Sequence, residues 1–126
     1  MKVSELEGAR LDYAVAKALG YVQKTLEITR EVAWFEDSGF KFVDTVKDWH
    51  PSEKWEQGGP IIDRDHISIR HRDSVNFSPV PDEWSALCSS FAMWGQTALM
   101  AAMRAKVVSV YGDTLPDGFF DGATPA

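Results

Sequence analysis

The sequence predicts an α+β fold, in which an N-terminal and a C-terminal helix pack on one face of a small antiparallel sheet of three to four strands. Apolar residues recur at helical spacing near both ends of the chain and alternate with polar residues between them. Strands and helices do not follow one another in the regular βαβ order that a parallel sheet requires. Helices on one face of an antiparallel sheet are therefore the expected arrangement.

The first helix is predicted from a capping box and a stripe of apolar residues. Ser4 and Glu7 have the spacing at which each side chain bonds the other residue's backbone N–H, and Gly20 suits the C-terminal cap. Arg10, Asp12 and Lys17 lie off the apolar stripe. The stripe comprises Leu11, Ala14, Val15, Ala18 and Leu19.

The middle of the chain alternates apolar and polar residues, which is typical of half-buried strands. A first strand is expected from Val22 to Trp34, with a possible break near Lys24, and a second strand follows the turn at Ser38-Gly39, so that the two form a hairpin. Residues 50–60 are predicted to be a structured loop, in which Pro51-Ser52 can start one helical turn that Gly58-Gly59-Pro60 ends. A further strand is expected from Ile61 to Arg72.

Two helices are predicted near the C-terminus. A short one covers Glu83 to Phe91, because four residues share a helical face: Trp84, Leu87, Cys88 and Phe91. A longer one runs from the N-cap Thr97 to Tyr111, with Gly112 as its C-terminal cap. Its stripe comprises Leu99, Met103, Val107 and Val110.

The chain has 126 residues, 44% of them hydrophobic, and a net charge of −6. This length predicts one α+β domain over residues 1–116 and a frayed tail over 117–126. The acidic balance argues against binding nucleic acid through bulk positive charge. With one cysteine, Cys88, and no apolar run long enough for a signal peptide or a membrane span, we expect a cytoplasmic protein.

The sequence contains no signature of a known catalytic centre. This absence favours a protein that is not an enzyme, and no cofactor is expected. Asp63, Asp65, His66 and His71 are metal-ligand types, but on one strand His66 and His71 point to opposite faces, so no metal site is predicted. Cys88 lies on an apolar stripe and is expected to be a buried core thiol.

The segment Trp49–Arg64 is the most informative stretch for function. Two tryptophans frame it, and paired glycines allow a backbone to approach a planar or anionic ligand closely. The plainer alternative is that both tryptophans fill the core and the glycines only turn the chain. The candidate ligand-binding residues are Trp49, Ser52, Trp55, Gln57, Gly58, Gly59, Asp63 and Arg64.

A second candidate surface is the basic strand face that carries Arg70 and Arg72. Two guanidinium groups two residues apart suit bidentate binding of a phosphate or carboxylate. The alternative is the solvated side of a half-buried strand, or charge that protects a sheet edge.

Three segments of the chain resemble the phage NinX-like family. They are Ser4–Gly20, the motif Pro51-Ser52-x-x-Trp55-x-Gln57-Gly58-Gly59-Pro60-Ile61-Ile62-Asp63-Arg64, and the last helix from Thr97 to Gly112. The chain departs from the family pattern at Lys54, Asp63 and Gln96, and residues 24–47 are longer than the usual connection. The resemblance implies a cytoplasmic accessory protein of phages and prophages. It does not indicate which activity the protein has.

These observations predict a non-catalytic binding module that uses the Trp49–Arg64 segment. One alternative is a small enzyme on an anionic substrate, with Arg64 or Arg70 binding the anion and Asp63 or His66 as the base. The other is an interaction protein for a phage or host nucleic-acid-processing complex. The expected partner is a protein or a small molecule, with no non-specific nucleic-acid binding, no membrane, and a monomer by default.

Overall fold

The computed structural model describes residues 1–36, 39–71 and 84–121. These residues form three α-helices, six β-strands and a 3-10 turn at Val3–Glu5. The helices are α1 (Gly8–Ala18), α2 (Trp55–Arg64) and α3 (Ala98–Tyr111), and the strands are β1 (Val22–Thr25), β2 (Val32–Glu36), β3 (Lys41–Thr45), β4 (Ser68–His71), β5 (Trp84–Cys88) and β6 (Phe91–Gly95).

The strands form two antiparallel sheets of three, in the orders β1-β2-β3 and β4-β5-β6. The α+β class is thus confirmed, with the strands divided between two sheets. Helix α3 packs against β5 and β6 on one side and against α1 on another. It is therefore buried around most of its circumference, and Val110 is exposed although the apolar stripe includes it.

The caps of the last helix are as predicted. The Thr97 hydroxyl accepts a hydrogen bond from the Met100 N–H at 3.1 Å, and Gly112 has a φ of +81°. Gly20, just after α1, has a φ of +83°. These helix ends are predictable from sequence because the capping residues lie within a few positions of the backbone groups that they cap.

The predicted capping box at Ser4 is wrong. Val3 and Leu6 are fully buried, and they hold this segment in a 3-10 turn. The backbone then passes through a φ of +56° at Gly8, where α1 begins. Helix α1 consequently starts without a side-chain cap.

Two predicted strands differ in extent, and the predicted hairpin between them is confirmed. The expected strand from Val22 to Trp34 is the hairpin β1–β2, and the turn before β2 includes Arg30 at a φ of +65°. The hairpin β2–β3 is confirmed, although Asp37 and Ser38 lie outside the described residues. The strand expected from Ile61 is confined to β4, because α2 continues to Arg64.

The predicted helix over Glu83 to Phe91 is the hairpin β5–β6, and Glu83 itself lies outside the described residues. Its two-residue turn is Ser89-Ser90, with φ values of +48° and +75°. Two positive φ values suit the right-handed twist of a hairpin, but the usual residues there are Asn and Gly. Serines gave no turn signal, so the helical spacing around them was misleading.

The chain after α3 returns to the N-terminal region. Lys2 pairs with Thr114 in an isolated bridge, and Leu115 is buried. The rings of Phe119 and Phe120 both pack against Tyr13 of α1, with centroids 5.9 Å and 5.5 Å away. Among the described residues, no helix has the length and apolar character needed to cross a membrane.

Candidate functional site

The segment Trp49–Arg64 consists of a turn over residues 49–54 followed by helix α2. Sequence reasoning assigned residues 50–60 to a loop ended by the two glycines and Pro60, and this assignment is wrong, because α2 runs through all three residues. Gly58 is buried against the backbone of Pro51 and the side chain of Leu99 in α3. Close packing between α2 and α3 thus outweighs the low helix propensity of glycine and proline.

Asp12 of α1 anchors the turn that precedes α2. Asp12 is only 2% exposed, although it lies off the apolar stripe of the helix. Its Oδ1 accepts a hydrogen bond from the Ser52 N–H at 2.9 Å, and its Oδ2 lies 3.2 Å from Nδ1 of His50. The Asp12 carbonyl accepts the indole N–H of Trp49 at 3.0 Å. One residue therefore holds three positions of the turn.

The environment of Asp12 has opposing effects on the pKa of its carboxyl. Burial raises the pKa of its carboxyl above the ordinary value, and the Ser52 side chain, the Ser52 N–H and His50 only partly oppose that rise. The other ring nitrogen of His50 lies 2.6 Å from the Lys47 carbonyl. Since both ring nitrogens face oxygen acceptors, the pair is satisfied when His50 carries two protons or when Asp12 carries one.

Gln57 fastens α2 to the same turn and to β3. Its Oε1 accepts the His50 N–H at 2.6 Å, and its Nε2 donates to Oδ2 of Asp44 at 2.9 Å and to the Asp48 carbonyl at 2.8 Å. Trp49 is only 5% exposed. Trp49 and Gln57 therefore both stabilise the fold. For Trp49 and Gln57, the plainer structural interpretation of the motif therefore applies.

Trp55 and Ser52 lie on the other side of α2, at a cavity of about 360 Å³. We call it the helix-start cavity, since α1, α2 and α3 all begin at its wall. Trp55 is 55% exposed, in contrast to Trp49. The cavity is lined by Gly8, Ser52, Glu53, Trp55, Thr97, Ala98, Leu99 and Met100.

The Ser52 side chain is 97% buried in the wall of this cavity, with a relative exposure of 3%. Its hydroxyl lies beside the Asp12 carboxylate, which it helps to keep ionised, and the hydroxyl oxygen is itself buried. The hydroxyl therefore faces the anchor of the turn, and it is not a polar group open to the cavity.

A second cavity, of about 250 Å³, lies on the opposite side of α2 and is called here the Arg64 cleft. Three of its polar side chains already have partners, since Asp44 and Gln57 bond each other and Arg64 pairs with Asp65 at 3.3 Å. Burial is the main cause that raises the pKa of Tyr21 in its wall. The cleft is lined by Tyr21, Val43, Asp44, Trp49, Glu56, Gln57, Pro60, Ile61 and Arg64.

The remaining predicted site residues are scattered. Asp63 is exposed on α2, and Arg70 is exposed on β4 in register with Ser85. Arg72 lies outside the described residues. Neither of the two cavities above is lined by Asp63, by Arg70 or by His66, the three residues that the enzyme alternative would add to Arg64.

The metal-ligand types do not assemble. Within residues 1–36, 39–71 and 84–121, no group of three or more His, Cys, Asp or Glu side chains is placed to hold a metal ion. His71 packs edge-on against Trp84, with centroids 5.0 Å apart. Cys88 is a buried free thiol in the core, as expected, although it lies on strand β5 and not on a helical stripe.

Asp65 joins the end of α2 to α3 through Lys106. The two charges lie 3.1 Å apart, and both side chains are less than 20% exposed, at 19% and 14%. Burial alone would raise the pKa of Asp65, but hydrogen bonds and charges from Arg64 and Lys106 together lower it. The ionised carboxylate therefore stabilises the fold.

We expect Asp65→Asn to lower the free energy of unfolding by about 1 kcal/mol at neutral pH. Because the folded-state pKa is lowered, this stabilisation is present above the unfolded value near 3.8 and is lost as pH falls through the folded value. Urea unfolding of both proteins at pH 7 and pH 2.5 checks this. A deficit of the same size at both pH values would contradict the ionic role.

Sequence reasoning missed Asp12, Gly8 and Ala98 as contributors to this region. A signal was present for Asp12, an acid followed three and four residues later by the apolar Val15 and Ala16. Nothing local marks Gly8 and Ala98, because their role arises only where the ends of separate helices meet.

A comparison with known protein families gives the same family that the motif resembles. A family model described as "Bacteriophage P22, NinX" matches residues 2–110. The chain belongs to the NinX family of phage proteins. The NinX match spans α1, α2 and all of α3 except Tyr111, so the resemblance predicted from three segments is confirmed. The family description names a phage and gives no activity, and no curated protein matches the chain.

Proposed function

We propose that this NinX protein is a non-catalytic binding module of the phage-infected cytoplasm that holds its ligand in the helix-start cavity. The observation that carries the proposal is the difference in burial between the two tryptophans of the motif. Trp49 is buried and hydrogen-bonded to Asp12, whereas Trp55 is 55% exposed at the cavity rim. A half-exposed indole beside a concave surface is a typical ligand contact.

The size and lining of the cavity support a small ligand. Its volume of about 360 Å³ falls within the range of small-molecule sites. Leu99 and Met100 supply an apolar wall, and the half-exposed Trp55 supplies an aromatic rim. The Arg64 cleft is the weaker candidate, because Asp44, Gln57 and Arg64 in its wall are already paired within the fold.

The test uses four small probes, namely adenosine, adenosine monophosphate, 2-phenylethanol and phenylacetate. Saturation-transfer NMR with the full chain is expected to show binding of at least one aromatic probe, because each ring can stack on Trp55. Trp55→Ala is expected to abolish that binding and to change the free energy of unfolding by less than about 1 kcal/mol, as for an exposed residue.

Phe40→Ala is the matched control, since Phe40 is an aromatic residue 89% exposed in the β2–β3 turn and lines neither cavity. It should leave probe binding unchanged. Binding that survives Trp55→Ala, or the failure of all four probes to bind the wild-type chain, would count against the proposal.

A further inference from the structure

Glu53 is the charged residue among those that line the helix-start cavity. Glu53 is exposed, and within the described part of the chain its carboxylate makes no hydrogen bond or ion pair. The ammonium of the neighbouring Lys54 instead donates to the Asp48 carbonyl at 3.3 Å. The cavity therefore presents a negative charge that the fold does not pair.

The indole of Trp55 is an independent feature of the same cavity that attracts a cation. Trp55 follows Glu53 by two residues, lines the cavity and is 55% exposed. Gly59, one turn further along α2, carries no side chain that could cover the ring. The negative face of an aromatic ring attracts an ammonium group, and tryptophan does so best. An ammonium group in this cavity is therefore attracted by both side chains.

The helix starts around the cavity do not reverse this charge preference. Each start carries a positive partial charge of about one half, which alone would favour an anion. Two starts already have carboxylates of the chain beside them, since Glu7 is the N-cap of α1 and Glu56 lies in the first turn of α2. Among the described residues that line the cavity, none is a lysine, an arginine or a histidine. The formal charge of the lining is therefore negative.

The remaining wall of the cavity suits an apolar group. Leu99 and Met100 form this wall at the start of α3, and a methionine side chain adapts to ligands of different shape. The volume of about 360 Å³ is near the lower end of the range of small-molecule sites. A ligand of one ring with a short chain is therefore the expected size.

We propose that the helix-start cavity binds a small organic cation. The ammonium group of this ligand faces the Glu53 carboxylate, and its apolar part lies against Trp55 and the Leu99-Met100 wall. The inference rests on the proposed function and adds the charge class of the ligand. The contribution of the charge to affinity is modest, because Glu53 is exposed and solvent screens the attraction.

Three probes that share a phenyl ring and a two-carbon chain test the charge preference. They are 2-phenylethylamine, 2-phenylethanol and phenylacetate, which are positive, neutral and negative at pH 7. We expect the amine to bind about three- to tenfold more tightly than the alcohol, and the acid to bind more weakly than the alcohol. NMR titration of the full chain at constant ionic strength measures the three affinities.

Two variants that each remove one negative charge locate the origin of the preference. Glu53→Gln is expected to bring the affinity for the amine to within about twofold of that for the alcohol, without changing the affinity for the alcohol. Glu56→Gln is the matched control, since Glu56 is also exposed but lines the Arg64 cleft instead. It should keep the preference for the amine. An equal loss in both variants would assign the preference to the net charge of −6 and overturn the inference.

The outcomes separate this inference from the proposed function. If the amine binds no more tightly than the alcohol, or if phenylacetate binds most tightly, and Trp55→Ala abolishes binding, the module stands and the cation inference is overturned. The same conclusion holds if adenosine or adenosine monophosphate binds and the amine does not. If no probe binds, both are overturned.

Discussion

Asp12→Ala is expected to lower the free energy of unfolding by about 3 kcal/mol, because it removes the acceptor on which the turn before α2 depends. The Ser52 N–H and the His50 ring would lose their bonds to Oδ1 and Oδ2 in a site that is only 2% exposed. The bond from Trp49 to the Asp12 carbonyl would remain. Urea unfolding, followed by far-UV circular dichroism, measures the loss.

Asp12→Asn is the matched control for this substitution. The amide keeps an acceptor for the Ser52 N–H and carries no buried charge, so we expect a loss of about 1 kcal/mol or less. If alanine and asparagine lower the stability equally, or if alanine costs less than about 1 kcal/mol, the anchoring role of Asp12 is wrong.

The pH dependence of this pair has a defined sign. Since burial raises the pKa of Asp12, the folded protein holds the carboxyl proton more tightly than the unfolded chain. That stabilisation is present below the unfolded value of 3.8 and is lost as pH rises through the folded value. The stability of the wild type relative to Asp12→Asn should therefore fall as the pH rises from 3.8 through the folded value.

Gly58→Ala is expected to lower the free energy of unfolding by about 2–3 kcal/mol, although alanine is the better helix former. A Cβ at this position would collide with the carbonyl oxygen of Pro51 and would lie 2.6 Å from Cδ2 of Leu99. The first of these is backbone, so the collision is relieved only by moving α2 away from the turn or from α3.

Gly59→Ala, at the neighbouring position, should have the opposite effect. A Cβ there would meet only a ring carbon of Trp55, at 4.0 Å, which is an ordinary contact. Replacing a helical glycine by alanine is then expected to stabilise the protein by about 0.5–1 kcal/mol. Thermal and urea unfolding of the two variants measure the difference. Equal effects of one sign at both positions would contradict the packing described for α2.

The contrast between Gly58 and Gly59 also shows why sequence reasoning misassigned this segment. Local propensity predicts that Gly58-Gly59-Pro60 ends a helical turn, whereas contacts with Pro51 and Leu99 hold these residues inside α2. The start of α3 was predictable because Thr97 caps a residue three positions away. The burial of Asp12 depends on Ser52, which is 40 residues away, and no local pattern reports such a pairing.

For the candidate site, the sequence points to the Trp49–Arg64 segment but does not distinguish the surroundings of its two tryptophans. Both Trp49 and Trp55 belong to the family-like motif, and only their packing separates a buried anchor from an exposed wall. The cavity itself involves Gly8 and Ala98, which are 90 positions apart in the chain. Its existence follows from the way α1 and α2 pack around α3, and this tertiary arrangement has no sequence signature.

The most direct test of the account is to map the binding of adenosine and 2-phenylethanol on the amide NMR spectrum of the full chain. We expect the shifts to centre on the starts of all three helices, at Gly8, Trp55 and Ala98, together with Ser52. Shifts centred on the Arg64 cleft or on the β4-β5-β6 sheet, with these four amides unmoved, would contradict it.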